Sequence, residues 1–248
     1  MVPARGIRSM KEIENKVAVV TGAGRGIGRA IAAELGRMGA RLVLTSRSAE
    51  ELDETVRQIP AAKGQAIAIP TDVRQEGDVR ALLERTVSQF GPVDIWVNNA
   101  GVAIAGPVVE FSNENFDATL DTNLKAIFLS SRLLLPSMME RKTGHIINIA
   151  SIAGKVGSAN LAVYCASKFG VVGFTQALAE EVRQHGIRVS LICPGSTDTG
   201  FLGSSSKATK ARDRMLSPAD IAHAVRMLVT QAPNSFISEV IIRPTMKP

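Results

Sequence analysis

The sequence predicts an α/β fold, a doubly wound parallel sheet of about seven strands flanked by helices. Two observations carry that expectation. Short β-branched, apolar runs alternate with longer stretches whose apolar residues recur at helical spacing, and the first run leads straight into a glycine-rich turn and a helix. Strand–helix units repeated at this length imply parallel strands joined by right-handed crossovers. The 248 residues are 45% hydrophobic and 21% charged, and no linker, repeat or low-complexity segment divides them. The expected organisation is therefore one domain over residues 14–248 behind a basic leader at 1–13.

Lys16–Thr21, KVAVVT, reads as the first buried strand. Gly22-Ala23-Gly24-Arg25-Gly26-Ile27-Gly28 follows, and RAIAAELGRMGA then carries a helical apolar pattern as far as Gly39. Strand, glycine turn and helix N-terminus are the parts a phosphate needs. Glycines admit the backbone close to a pyrophosphate, and the helix end supplies free N–H groups and a positive dipole end. The strict G-x-G-x-x-G fingerprint is not met, since position 27 is Ile and position 29 is Arg. T-G-x-x-x-G-x-G is met, on Thr21, Gly22, Gly26 and Gly28. The spacing points to a Rossmann-type dinucleotide site, with Gly22, Arg25, Gly26, Ile27 and Gly28 around the phosphates.

The second strand, Arg41–Thr45, ends in Ser46-Arg47. An acid about 20 residues past the glycines would hold the ribose 2′-hydroxyl of NAD, whereas an arginine suits the 2′-phosphate of NADP. No acid stands at this strand end. Ser46 and Arg47, with Arg25 in the loop, therefore predict NADP(H) in preference to NAD(H). The bland alternative for Arg47 is a solvated loop charge.

Ala66–Pro70 is the third expected strand, followed by Thr71-Asp72-Val73. Asp72 either accepts from an adenine amino group or caps the helix QEGDVRALLERTVSQF; Val73 is placed with it at the cofactor. Asp94–Asn98 is the fourth strand and delivers Asn99, Ala100 and Gly101 to the carboxyl edge, where ligands of open α/β sheets bind. Asn98 itself reads as structural. A long helical pattern at about 112–140 contains Asn123, whose bland reading is helix surface. His145–Ala150 is the fifth strand and delivers Ser151. Gly186–Cys193 is the sixth and ends in Pro194-Gly195-Ser196-Thr197-Asp198-Thr199. Ser217-Pro218-Ala219-Asp220 opens a capped helix, and Val240–Arg243 is the seventh strand.

Tyr164 and Lys168 stand four apart in a helical stretch and share a face. A free phenol titrates near pH ~10. A neighbouring cation lowers that value and brings the phenol towards useful acid/base range. A hydroxyl at Ser151, where the fifth strand ends, is placed to hydrogen-bond a substrate oxygen. Taken alone, Y-x-x-x-K is equally an ordinary amphipathic pair.

Cys165 and Cys193 form no disulfide framework, and His145, His185 and His223 are scattered, so no metal site is expected. Both cysteines lie in apolar surroundings and read as buried thiols in a reducing cytoplasm. No apolar run approaches the ~18 residues of a membrane span. The N-terminus lacks the apolar core of a signal peptide. The net charge of +6 is spread out, without aromatic interleaving, which argues for anionic small molecules over nucleic acid.

Thr21-Gly22-x-x-x-Gly26-x-Gly28, Asn98-Asn99-Ala100-Gly101, Asn123, Ser151, Tyr164-x-x-x-Lys168 and Pro194-Gly195 occur in an order that resembles the short-chain dehydrogenase/reductase family, over roughly residues 14 to 243. Within it the chain looks most like the 3-oxoacyl-[acyl-carrier-protein] reductases. The resemblance implies that Tyr164 protonates a carbonyl oxygen as hydride arrives. It implies that Lys168 binds the nicotinamide ribose and lowers the pKa of Tyr164, and that Ser151 polarises the carbonyl. Asn123 would hold a water in a proton relay, and Thr199 with the backbone near Thr197 would bind the carboxamide beside Pro194 and Gly195. It further implies a carbonyl, secondary alcohol or acyl-thioester substrate, and a homotetramer built through two long helices (about 112–140 and 162–185) and the final strand.

Two features depart from that pattern: a short, polar, basic lid at about 200–216, and Arg243-Pro244-Thr245-Met246 where the family has an aspartate-glycine pair. Val102, Ile152, Asn160 and Leu161 are expected to face the substrate. Alternative readings are a dehydrogenase of a sugar, steroid or other secondary alcohol, and a non-catalytic dinucleotide sensor.

Overall fold

The computed structural model describes residues 13–59, 65–200, 212–232 and 234–246. Seven strands form one parallel sheet: β1 (Val17–Thr21), β2 (Arg41–Thr45), β3 (Ala66–Ala68), β4 (Ile95–Asn98), β5 (Gly144–Ile149), β6 (Ile187–Pro194) and β7 (Glu239–Ile242). Their order across the sheet is β3-β2-β1-β4-β5-β6-β7. The chain winds outward from β1 in one direction and from β4 in the other, so the crossovers fall on opposite faces and a crevice opens at the β1/β4 carboxyl ends.

Helices α1 (Gly26–Arg37), α2 (Ala49–Arg57), α3 (Glu76–Phe90), α4 (Asn113–Leu120), α5 (Ala126–Arg141), α6 (Ala162–Val182) and α7 (Pro218–Val229) cover the sheet. Successive strand side chains point to opposite faces, and the core divides accordingly. Ala18, Val20, Leu42, Leu44, Ile147 and Ile149 pack with Ile31 and Leu35 of α1 and Ile221 and Val225 of α7. Val17, Val19, Val43, Trp96 and Ile146 pack with Leu82 of α3, Leu134 and Met138 of α5 and Leu178 of α6. Each fully buried side chain of this kind contributes about 1.5–3 kcal/mol. The two faces therefore outweigh any single cap or turn.

Several element ends differ from the sequence expectation. The third strand closes at Ala68; Ile69 N–H still donates to Leu44 O (2.9 Å), and Pro70, with no N–H, ends the ladder. Asp94 precedes its strand, and its carboxylate accepts from Val17 N (3.0 Å) at the opposite edge from the crevice. Asp72 does not cap α3, whose N-cap is Gln75 without a side-chain bond. The long helical pattern is interrupted by a π-helical turn, Asp121–Lys125, between α4 and α5. Ser217 and Asp220 do form the expected capping box at α7. Both cysteines are free and buried. Among the described residues no helix is long and apolar enough to cross a membrane. Most of the expected lid (201–211) and most of the expected leader (1–12) lie outside the described residues.

His145 is fully buried in β5. Ser190 Oγ donates to Ile237 O (2.7 Å), so it must accept from His145 Nε2–H (2.9 Å). That leaves Nδ1 buried without a partner. Burial, reinforced by Arg188, pulls the imidazole down to about 3 from 6.5. The unfolded chain binds this proton below pH 6.5 and the folded chain only near 3, so stability is lost as pH falls through that window. At pH 4 the loss is on the order of 3 kcal/mol. Urea midpoints measured from pH 7 to 4 should fall less steeply for His145→Gln than for the wild type; parallel curves would contradict the assignment.

Candidate active site

The carboxyl ends of the strands open into a cleft of about 810 Å³. Its floor begins at the turn after β1. Gly22 has φ +63°, and a Cβ there would lie 2.9 Å from Ala100 Cα and from Asn99 Nδ2. A Cβ on Gly28 would collide with the Gly22 carbonyl oxygen. Gly28 therefore lets α1 sit under the loop and does not itself border the cleft, whereas Gly22, Arg25, Gly26 and Ile27 do. The α1 N-terminus has no side-chain cap and no acid in its first turn, so its N–H groups and dipole are left for an anion. Arg29, which occupies a position where the strict fingerprint has glycine, donates through Nε and a terminal nitrogen to Gly24 O and through Nε to Thr55 Oγ1 (3.0 Å). It fixes the loop from behind. This cradle fits a pyrophosphate.

Ser46 and Arg47 after β2, and Asp72 and Val73 after β3, line the next stretch of the cleft. Two residues that the sequence reading passed over join them. Arg74 grips Asp72, with Nε at 2.9 Å from Oδ1 and a terminal nitrogen at 2.5 Å from Oδ2. That hydrogen bond holds the Asp72 carboxyl below its usual range; partial burial opposes it, and Arg47 adds to it. Glu51 is the other. Ser48 caps α2 by accepting from Glu51 N (3.2 Å), and the Glu51 carboxylate lies over Gly24 beside Ser46: a Cβ on Gly24 would be 2.8 Å from Oε2 and 3.2 Å from Ser46 Oγ. The S-x-x-E pattern at Ser48–Glu51 was the available signal.

Asn99, Ala100 and Gly101 border the cleft as expected, while Asn98 is buried and bonds Trp96 Nε1 (2.8 Å) and Asn148 (2.8 Å). Asn123 is not on a helix surface. It is fully buried in the π-helical turn, where Oδ1 accepts from Val102 N (2.8 Å) and Nδ2 donates to Val102 O (2.9 Å) and Ser167 Oγ (3.0 Å). Its amide clamps the loop after β4 to α6. Such π turns recur at functional sites.

Ser151 sits where β5 ends, and its Oγ accepts from Ala153 N (3.1 Å). A Cβ on Gly154 would come within 2.6 Å of Lys168 O, so glycine there lets the Ser151 turn pack directly on the α6 backbone. Tyr164 and Lys168 enter the cleft from α6 beside it. Lys168 Nζ donates to Ile149 O (3.1 Å) and lies 5.8 Å from the Tyr164 ring centroid. Burial draws the Lys168 ammonium down to about 8. The expected depression of Tyr164 is not found. Burial raises the phenol, and a hydrogen bond with Ser151 opposes that. Loss of hydration outweighs a cation held several ångströms from the ring.

Pro194, Gly195, Thr197 and Thr199 line the cleft beyond β6. Thr199 reaches back over the phosphate loop, 3.2 Å from where a Gly26 Cβ would stand. Val102, Ile152 and Leu161 face the cleft with Met215 and Arg243. Asn160 does not; it is exposed, with φ +62°, and its carbonyl accepts from Gly106 N (2.8 Å). Phosphate cradle, hydroxyl pair and buried ammonium thus share one cleft, an arrangement for moving a hydride and a proton between a dinucleotide and a carbonyl or alcohol.

The family model for short chain dehydrogenase matches residues 16–210. Ketoacyl reductase HetN of Nostoc is 40% identical over 217 residues, covering 87% of this chain and 76% of that protein. An uncharacterized oxidoreductase of Staphylococcus saprophyticus is 37% identical over 236 residues, 95% of this chain and all of that one. Among solved structures, a metagenomic short-chain oxidoreductase in complex with NADP superposes with a TM-score of 0.84 at 43% identity, over 96% of this chain and 100% of that chain. Levodione reductase superposes with a TM-score of 0.87 at 30% identity, over 94% and 97%. On sequence, fold and site together, the chain belongs to the short-chain dehydrogenase/reductase family and is an NAD(P)-dependent oxidoreductase.

Proposed function

We propose that the protein is an NADP(H)-dependent reductase of a carbonyl compound, with a 3-oxoacyl thioester or a related ketone as substrate. The carrying observation is the convergence of Ser151, Tyr164 and Lys168 on the wall of a cleft that continues to the phosphate loop. The ketoacyl reductase from Nostoc and the NADP complex of the metagenomic relative support the substrate class and the cofactor. Levodione reductase supports a second reading, in which the ketone is a small neutral one taken by the apolar wall of Val102, Ile152 and Leu161. A homotetramer through α5, α6 and β7 is supported by the exposed Phe128, Phe169 and Ile241. A reducing cytoplasm is supported by the two free thiols.

A bound nicotinamide would supply the hydride; Gly22, Arg25, Gly26 and Ile27 would hold its pyrophosphate, Asn99 to Gly101 its middle, and Thr197 and Thr199 the carboxamide end. The protein's own groups handle the oxygen. Ser151 Oγ accepts from Ala153 N and is hydrogen-bonded with Tyr164, so the two hydroxyls stand together where a carbonyl oxygen would accept from them. The buried phenol of Tyr164 stays protonated at neutral pH and donates its proton as negative charge develops on that oxygen. The Lys168 ammonium spends one donor on Ile149 O and keeps two, which stabilise the tyrosinate and the ribose hydroxyls. Asn123 acts by positioning Val102 and α6.

Tyr164→Phe should lower the turnover of acetoacetyl thioesters by about 10²–10⁴-fold while leaving NADPH binding, read by nicotinamide fluorescence, as in the wild type. Near-normal turnover would sink the assignment. Because Lys168 is charged below about 8 and neutral above it, kcat/KM for reduction should decline as pH rises through 8; a flat profile to pH 10 excludes that role. For the adenosine end, Arg47→Ala should weaken NADPH binding by about 10–100-fold and NADH little, since it removes a charged partner of the 2′-phosphate. Glu51→Gln should shift the preference the other way, towards NADPH. Equal effects on both cofactors would remove these residues from discrimination.

A further inference from the structure

We propose that Arg243 is an anion subsite at the substrate end of the cleft, and that the carbonyl substrate carries a carboxylate a few bonds from the reacting carbon. The proposal rests on the reductase reading above and narrows it to oxo acids.

The placement follows from the sheet. Ile149 pairs with Ile192 and Pro194 with Ile242. Continued to the strand ends, that register sets Ser151, Pro194 and Ile242 in one row along the carboxyl edge. Arg243 is one residue beyond that row and two strands from Ser151. At about 4.8 Å per strand the backbones stand roughly 10 Å apart. A reactant held on Ser151 and Tyr164 therefore has Arg243 within a short chain's length, on the side away from the adenosine-binding strands β1, β2 and β3.

The backbone there is held firmly. Gly195 N donates to Ile242 O (2.7 Å), and a Cβ on Gly195 would lie 2.9 Å from Pro244 Cδ and 3.5 Å from Arg243 Cα. Pro244 restricts Arg243 to extended conformations. The arginine thus projects from an anchored strand end.

Its charge is uncompensated among the described residues. Arg74 is taken by Asp72, Arg132 by Glu76 and Arg141 by Asp94, whereas no ion pair or hydrogen bond of Arg243 is found. Glu239, at the start of the same strand, pairs with Lys155 at 2.8 Å, and Asp198, which also borders the cleft, has a partner. Of the cations that border the cleft, Arg25, Arg47 and Arg74 stand at the adenosine end, and Lys168 donates to Ile149 O. Among the described residues, Arg243 is the remaining one. Val102, Ile152, Leu161 and Met215 add apolar wall to the cleft, and they offer an anion no donor of their own. A guanidinium takes a carboxylate in a two-pronged fork. A carboxylate a few bonds from the carbonyl is the anion that a guanidinium at this spacing would take.

The test is steady-state reduction by NADPH of acetoacetate and 4-oxopentanoate, each against its methyl ester, with acetoacetyl-coenzyme A alongside, for the wild type, Arg243→Ala and Arg243→Lys. The expected result is a wild-type preference for the acids. Arg243→Ala should then raise KM for the acids by about tenfold or more with kcat little changed and the esters unaffected, and Arg243→Lys should recover part of the loss. Unchanged ester turnover also certifies that the variant is folded. Equal effects on acid and ester, no effect on either, or good turnover of esters and thioester with none of the acids would overturn the anion subsite while leaving the reductase reading intact. Failure to reduce any of the carbonyl compounds would overturn that reading, and the subsite with it.

Discussion

The geometry of the cleft depends on one small clasp between the ends of β1 and β4. Thr21 Oγ1 donates to Val97 O (3.3 Å) and accepts from the backbone N–H groups of Asn99 (2.9 Å) and Ala100 (3.0 Å). Asn99 Nδ2 returns the tie by donating to Thr21 O (2.9 Å) and Gly22 O (3.1 Å). These are the strands between which the winding direction reverses: the chain leaves β1 towards β2 and leaves β4 towards β5, so no crossover ties the two carboxyl ends to each other. Backbone groups left unpaired there would each cost about 1–3 kcal/mol. The clasp satisfies them and makes the phosphate loop and Asn99-Ala100-Gly101 a single rigid floor.

The wall that carries Ser151, Tyr164 and Lys168 is fixed by a second set of buried polar bonds. Trp96 Nε1 donates to Asn98, Asn98 donates to Asn148, and Asn148 donates to Thr175 on α6 (2.8, 2.8 and 2.9 Å). Asn123 ties α6, through Ser167, to the loop after β4. The helix that carries Tyr164 and Lys168 is therefore registered to the sheet by direction-specific bonds as well as by apolar packing. Apolar packing alone tolerates sliding; hydrogen bonds do not. Lys168 illustrates the opposing cost. Its ammonium is nearly buried with one carbonyl for company, and that burial lowers its proton affinity. The residue placed for function is thus a strain on the charged state of the fold.

Charge is distributed unevenly along the cleft. The adenosine end mixes three guanidiniums with the carboxylates of Glu51 and Asp72. Under the proposed function, such a mixture offers partners for both a hydroxyl and a phosphate on the ribose, with Arg47 and Glu51 as the opposed charges. The opposite end combines the apolar Val102, Ile152, Leu161 and Met215 with Ser151, Tyr164, Lys168 and Arg243, and with the hydroxyls and Asp198 of the stretch after β6.

Strands, helices, the phosphate loop and the Tyr164–Lys168 pair were legible in the linear chain because each is written in local periodicity or in short spacing. A buried parallel strand must be β-branched and apolar, a loop that approaches a phosphate must be glycine-rich, and two residues four apart on a helix must share a face. What the linear chain left open depends on groups far apart in sequence. Asn123 was singled out only by the family resemblance, its local reading being helix surface, because nothing local marks a π turn or the Val102 backbone 21 residues away. Asp72 read as either an adenine acceptor or a helix cap; the fold removes the cap and gives both of its oxygens to Arg74. The direction of the Tyr164 shift turned on burial by the rest of the fold, and Glu51 and Arg243 acquired meaning only from what stands opposite them. Local chemistry determined the elements and the reaction class; only tertiary juxtaposition decided which charges face the ligand, because desolvation and pairing are properties of neighbours that the order of residues does not record.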